Sequence, residues 1–507
     1  MDDSQTDHLK AYGVVYRALQ RGGTGEWLLN FRGGSFLLPA DGATQRDAAL
    51  AGVRAEGVAD GDVTDIRGRI AAANMDVVPL EKAPLVAVYV PPNTAPWDDA
   101  VTMALQYAGI EYARVWDADV MGGGLARYDW LHLHHEDFTG QYSKFFLTYS
   151  GMPWLADMVR RNQEMARGLG FADVPALKKA VARGIRDYVD NGGFLFAMCA
   201  ATETLELALA AEGVDIAAPF ADGTPVDPQA SAKLRWDRTL AFQGAELELS
   251  PAIATFSDID GHQVNHPGRR QQLGAYHLFA FSAKIDPVPT MLVQCHREIL
   301  PDFYGLTTSF RRDRLRPGVT VLADEQGAPW VKYIRGDFGK GTWTFFGGHD
   351  PEDPQHQIGD PPTDLSLHPH SPGYRLILNN VLFPAAKKRE LKTRVASCPP
   401  CGTGSRKRSR RPAGGRCRSR ATSTPRAGSW RSRWWRAAPS TRCWRCRGPP
   451  NAARCCCTTT RAASSSRRRP TSRSPRGCTT RASGSALCRT TPRISTWWWK
   501  SRVLGPG

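Results

Sequence analysis

Residues 192–211 read GGFLFAMCAATETLELALAA. Asn191-Gly192-Gly193 supplies a turn, Phe194 to Met198 is an unbroken apolar run of strand length, and a helical pattern sets in just after Cys199. Strand, sharp turn, helix is the layout of a nucleophile elbow, where the reactive side chain ends the strand and only small residues fit two positions to either side. Ala197 and Ala201 stand there. A helix starting after Cys199 points free N–H groups, that of Ala200 first, at the sulfur and at an oxyanion beside it. Such groups lower a thiol pKa and stabilise a tetrahedral intermediate. The same residues also read as a small apolar cysteine closing a buried strand.

Working outward, the chain upstream alternates strands and helices, the pattern of βαβ units and a parallel sheet. Leu85 to Val90 reads as a buried strand, Trp97 to Ala108 as an amphipathic helix, and Glu111 to Trp116 and Tyr128 to His134 as strands. A helix opening at Asp173 puts Leu177, Val181, Ile185 and Tyr188 on one face and stops at Asn191-Gly192. Beyond Gly213 the alternation weakens. Short β-like runs (Thr239 to Phe242, Leu278 to Ala283, Thr290 to Gln294, Val319 to Leu322) predict a β-rich insertion or antiparallel extension over about residues 230–330. Trp330 to Ile334 and Thr342 to Phe346 then flank a glycine-rich hairpin turn, and Tyr374 to Phe383 predicts a closing helix. The Gly-Lys-Gly-Thr of that turn is not a phosphate loop. Ile334 stands where its first glycine belongs and Gly341 where a magnesium-binding hydroxyl does.

Residues 1–82 read as a small α+β unit. Strand-like runs Ala11 to Leu19 and Trp27 to Pro39 lie around Gly22-Gly23-Thr24-Gly25, followed by a helix from Thr44 to Ala55 and a connector from Pro79 to Pro84. Gly33-Gly34 reads as a turn or bulge. The expected organisation is therefore 1–82, an α/β domain over 83–390, and a tail over 391–507.

That tail explains the charge. The chain of 507 residues carries a net +17, but residues 394–507 hold 28 of the 66 Lys and Arg and none of the 49 Asp and Glu, leaving 38 basic against 49 acidic residues before them. The body is thus acidic, and no nucleic-acid partner is expected for it. The tail also holds 10 of the 12 Cys and 7 of the 15 Trp, with no His, Phe or Tyr. A segment without helical or strand period cannot organise a core, so disorder is expected. A basic arm interleaved with tryptophan can grip single-stranded nucleic acid; the favoured reading is instead that its abrupt lack of acids reflects a GC-rich gene translated out of frame, and its cysteine clusters are not read as a zinc site. Only Cys199 and Cys295 remain in the body, so no disulfide framework is expected. No run of apolar residues is long enough to span a membrane. The polar, acidic start MDDSQTDHLK is unlike a signal peptide, which places the chain as written in the cytoplasm.

A cysteine nucleophile needs a base, and the base an orienting group. His349 follows the strand Thr342 to Phe346 behind two glycines. In a parallel sheet all strands end at one edge, so His349 and Cys199 can meet there. Asp350, Glu352 and Asp353 are the acids at hand. A second dense cluster is His132, His134, His135, Glu136 and Asp137 in YDWLHLHHEDFTG. On a strand His132 and His134 share a face, so with Glu136 or Asp137 they can bind a divalent metal. Otherwise His134, His135, Glu136 and Asp137 border the same edge as Cys199 and contact substrate, or the histidines are hydrogen-bonded within the core.

YDWLHLHHEDFTGQY, FLFAMCAATET and GGHDPEDPQHQIGDPPTDLSLHPHSPGYRLILNNVLFPAAKK resemble a group of bacterial proteins labelled asparagine synthetase B, over about residues 1–390. The order of strand, Cys elbow, β-rich stretch and terminal strand ending in His resembles class I glutamine amidotransferase-like proteins. That resemblance implies a flavodoxin-like parallel sheet and a cysteine-dependent amide hydrolase or amidotransferase acting on a small-molecule carboxamide, with no cofactor. Cys199 would be the nucleophile, His349 the base, Asp350 or Glu352 the orienting acid, and Ala200 an oxyanion donor. Several features depart from these families. Asp2 follows Met1 where a true asparagine synthetase carries cysteine, its pyrophosphate loop is absent, and the elbow reads Ala197-Met198-Cys199-Ala200-Ala201 without the usual glycines. Similar proteins carry an export signal ahead of the stretch matching Met1 to Gln5, implying export if the start lies upstream. The alternatives are a binding module of the same fold without catalysis, and metal-assisted hydrolysis at the His132 cluster.

Overall fold

The computed structural model describes residues 1–92, 99–251, 253–261, 274–355 and 359–387. The expected tail over 391–507 lies outside the described residues. Two sheets organise the rest. The smaller is antiparallel, ordered β2-β1-β3, from β1 (Gly25–Leu29), β2 (Ser35–Leu37) and β3 (Asp76–Leu80). The larger contains β4 (Val86–Tyr89), β5 (Ala113–Val115), β6 (Trp130–Leu133), β7 (Phe194–Met198), β8 (Ala275–Leu278), β9 (Ile299–Pro301), β10 (Phe310–Arg311), β11 (Thr320–Asp324), β12 (Trp330–Phe338) and β13 (Gly341–Phe346). Their order is β5-β4-β6-β7-β13-β12-β11-β8-β9, with β10 paired to β12. From β5 across to β13 every neighbour is parallel, and from β13 onward every neighbour is antiparallel. Counted along the chain, the parallel strands are ordered 2-1-3-4-5.

The apolar run of β7 explains its central place, since both faces must be covered. Phe194, Phe196 and Met198 pack with Val88 and Trp130 beneath helices His8–Gln20, Ala100–Ala108 and Pro372–Leu382. Leu195 and Ala197 pack on the other side with Leu131, Leu133 and Phe345 beneath helices Val174–Asp190 and Ala200–Ala210. The result is a mixed α/β architecture with helices on both faces of the parallel half. Among the described residues no helix is long and apolar enough to cross a membrane.

Three expectations are corrected. Ala11 to Leu19 is not a strand but the core of the helix His8–Gln20, capped by Asp7, whose side chain accepts from the Lys10 N–H. Leu9, Tyr12, Tyr16 and Leu19 recur at helical spacing and are buried together, which outweighs the strand preference of Tyr and Val. Thr290 to Gln294 belongs largely to a helix, Pro287–Leu292, opened by prolines in its first turn. Thr239 to Phe242 forms no strand, because the buried Glu206 carboxylate takes the N–H groups of Leu240, Ala241 and Phe242 at 2.8–3.1 Å. Of the two alternatives for the β-rich stretch, the antiparallel extension is the one seen, for β8, β9, β10 and β11 continue the large sheet antiparallel.

Candidate functional site

After β4 the chain crosses to β5 on one side, and β6 lies on the other, so the strand order reverses between β4 and β6. Crevices at such reversals, outside the carboxyl ends of the strands, are where open α/β sheets bind ligands. Asp99 opens the helix after β4 and caps it, its Oδ1 accepting from the N–H groups of Val101 and Thr102 at 2.8 and 3.0 Å. Leu133 is in register with Ala197 and Met198 with Phe346, so His134, Cys199 and Gly347 leave β6, β7 and β13 as neighbours.

The imidazoles converge on Asp99. His132, its ring against those of Trp130 and Phe196, donates from Nδ1 to the Phe196 carbonyl at 3.1 Å and turns Nε2 to Asp99 Oδ2 at 3.2 Å. His134 holds Nδ1 3.5 Å from Asp99 Oδ1 and Nε2 3.0 Å from His349 Nδ1. Burial disfavours charge on Asp99, but its imidazole neighbours His132 and His134 prevail and hold the carboxyl well below its ordinary value. Burial pushes His134 below its ordinary value, so it is neutral at pH 7. Hydrogen-bond complementarity then fixes the protons: His134 carries its proton on Nδ1 toward Asp99 and accepts at Nε2 from His349 Nδ1, leaving the basic lone pair of His349 on Nε2.

His349 reaches this position through Gly347-Gly348. Gly348 has φ +88, and a Cβ there would lie 2.5 Å from the Phe303 ring; one on Gly347 would lie 2.2 Å from the Thr308 carbonyl oxygen. Only glycines let the chain pass beneath the segment 303–308, to which it is tied by His349 N–H to Tyr304 O at 2.7 Å and Gly348 N–H to Thr307 O at 2.9 Å.

Cys199 has the elbow geometry and not the elbow chemistry. Its φ of 51 and ψ of −139 form a strained conformation for a residue bearing a Cβ. Its sulfur accepts from the Leu306 N–H at 3.3 Å, with the Ala200 and Thr307 N–H groups also directed at it. Yet Cys199 is 1% exposed, and burial pushes the thiol up to about 11 against the pull of those amides. The expected lowering is therefore reversed: the donors are present, desolvation is larger, and the thiol is neutral at pH 7. One helical turn on, the buried Glu203 accepts from Ser257 Oγ at 2.5 Å and Thr307 Oγ1 at 2.9 Å, fastening the covering segment. Burial pushes its carboxyl up to about 8.

The expected acids are engaged elsewhere. Asp350 accepts from the Glu352 N–H at 2.9 Å and Thr363 Oγ1 at 2.6 Å, and Glu352 pairs with His368 at 3.0 Å. The acid behind the imidazole pair is Asp99. Asp137 is consumed by its own loop, accepting from the N–H groups of Thr139, Gln141 and Ser143 at 2.8–3.0 Å. It braces a turn in which Tyr142, Ser143 and Lys144 all have positive φ. Burial pushes the Glu136 carboxyl up, the adjacent His135 opposing. His135 is half-buried, its ring 5.3 Å from that of His134 and 5.8 Å from that of His349, with a buried Nδ1 that has no hydrogen-bond partner. Asp99, Glu203 and the Leu306-Thr307 amides were not foreseen. Only Glu203, an acid on an otherwise apolar helix, carried a sequence signal.

No family model matches the chain, and no curated protein matches it. Solved structures similar to parts of it include a cytoplasmic protein of Salmonella typhimurium, at 11% identity and TM-score 0.30 over 60% of this chain and 100% of that one. A second, from Salmonella typhimurium LT2, matches at 13% identity and TM-score 0.29 over 60% of this chain and 99% of that one. A putative GMP synthase component from Thermoplasma acidophilum matches at 10% identity and TM-score 0.29, over 59% of this chain and 94% of that one. No residue role is carried over from them.

Proposed function

We propose that the chain is a carboxamide hydrolase of flavodoxin-like, amidotransferase-like fold whose working groups are the imidazoles of His134 and His349 rather than the thiol of Cys199. The 2-1-3-4-5 order of the parallel strands supports the fold, and the resemblance to proteins labelled asparagine synthetase B supports an amide as substrate. The observation that carries the chemistry is the aligned series Asp99, His134, His349 at the strand reversal, with His134 Nε2 3.0 Å from His349 Nδ1. In the proposed reaction His349 Nε2 takes a proton from water as its oxygen bonds the carbonyl carbon. The positive charge is shared through His134 with Asp99. The proton returns to nitrogen as the C–N bond breaks, releasing ammonia and a carboxylic acid.

A second reading keeps Cys199 as nucleophile, favoured by its strained φ of 51, since such strain concentrates at functional sites. It requires residues 303–308 to lift off the sulfur. Ammonia release from a panel of carboxamides, beginning with glutamine and asparagine, tests both. Loss in His349→Ala with retention in Cys199→Ala supports the imidazole reading, loss in Cys199→Ala supports the thiol, and no release from any amide overturns both and leaves a binding module.

A further inference from the structure

We infer that His134, His135 and His349 form a divalent metal site of the zinc type with Asp99 as its outer carboxylate. The ring nitrogens these three histidines offer all lie within 4.8 Å of one another. Imidazole nitrogens on tetrahedral zinc stand about 2.0–2.1 Å from the metal and therefore roughly 3.3 Å apart, so small side-chain rotations suffice. The His134–His349 pair already faces nitrogen to nitrogen at 3.0 Å, and His135, the third member, has a buried ring nitrogen without a partner. Behind His134 the Asp99 carboxylate lies 3.5 Å from Nδ1, the arrangement by which metal-bound histidines are oriented and made more basic. Three nitrogen ligands leave a fourth position open, the pattern of catalytic rather than structural zinc.

This ligand set differs from the one expected from sequence. His132 is committed to the Phe196 carbonyl and Asp99, Asp137 is consumed by its own loop, and His349 arrives from β13. Asp99, His132 and His134 also lie close enough together to hold an ion, but there the Asp99 carboxylate already faces both rings, at 3.2 and 3.5 Å. On binding, the metal takes the place of the proton between His134 and His349, and His349 carries its proton on Nε2 instead. In the metal-loaded form a bound water would replace the His349 Nε2 base of the hydrolysis proposed above; the binding itself does not depend on that reading.

The test is cobalt(II) titration of the full chain, treated with N-ethylmaleimide while folded so that reactive thiols do not compete. One equivalent should bind with the visible d–d bands of a tetrahedral nitrogen site and without a thiolate charge-transfer band. His135→Ala and His349→Ala should weaken binding by at least 100-fold, and Asp99→Asn by about 10- to 100-fold. His135 is only half-buried, so its variant keeps the core, and an unchanged circular dichroism spectrum verifies this. No binding, binding indifferent to all three variants, or a thiolate band would overturn the site. Metal bound as described with no amide hydrolysed would leave the site standing and overturn the hydrolase reading alone.

Discussion

His134 Nε2 and His349 Nδ1 lie 3.0 Å apart although 215 positions separate the two residues in the chain. They flank β7 on opposite sides, at the ends of β6 and β13, and meet across its carboxyl end. Removing either should leave the sheet intact and stop the chemistry. We expect His349→Ala to lower kcat for amide hydrolysis by roughly 100- to 10,000-fold, the usual worth of a general base, and Cys199→Ala to change it by only about 2- to 3-fold. Steady-state ammonia release with both variants decides this, and the reverse ranking transfers the reaction to sulfur.

Because Cys199 is 1% exposed and its thiol is pushed up to about 11, alkylation by iodoacetamide at pH 7.5 should be slower than for a free cysteine. Peptide-by-peptide mass spectrometry separates this site from the other cysteines. Denaturant should release it, and rapid labelling of the native protein would count directly against a sealed sulfur.

Stability should fall on both sides of neutrality, for opposite reasons. Burial lowers His8 to about 3 and His296 to about 4 and also depresses His134, from an ordinary 6.5. The unfolded chain therefore binds more protons as pH falls below 6.5, and stability drops toward these lower values. Glu203 is raised from 4.5 to about 8 and Glu206 to about 7, so the folded state holds extra protons between 4.5 and those values. Their contribution is complete below 4.5 and lost as pH rises through about 7 to 8. Urea midpoints measured from pH 4 to 9 should trace this dome, and Glu203→Gln should flatten its alkaline side. An alkaline side unchanged by that variant would mean Glu203 is already ionised.

Gly348→Ala places a methyl group against the Phe303 ring at a φ of +88. Strain of this kind costs about 1–3 kcal/mol. Thermal unfolding should register that loss. Hydrolysis should fall further than stability accounts for, since Gly348 aims the next residue, His349. An activity unaffected in the folded variant would show that the aim is not set there.

The parallel half of the sheet was legible because its strands are continuous apolar runs such as Phe194 to Met198, which only a two-sided core accommodates. The helix His8–Gln20 was not, since Tyr12, Val14, Val15 and Tyr16 read locally as strand while burial in the fold selects the helix. His134, Cys199 and His349 could be singled out as residues just beyond strand ends. Asp99 could not, because an aspartate before a helix reads as a cap, which it is, and only tertiary packing reveals its second role. Nor could the sequence show that Leu306 and Thr307 roof the sulfur from 107 positions away and more, reversing the inference drawn from the helix start alone.

The site draws on Asp99, His134, Cys199, Leu306 and His349, so it is assembled from segments that lie far apart in the chain. During synthesis the ribosome must deliver β13 before the imidazole pair exists, and any chain released earlier is inert by geometry alone. Two co-expressed fragments divided before β13 should therefore each be silent, and should regain function only when β13 inserts between β7 and β12.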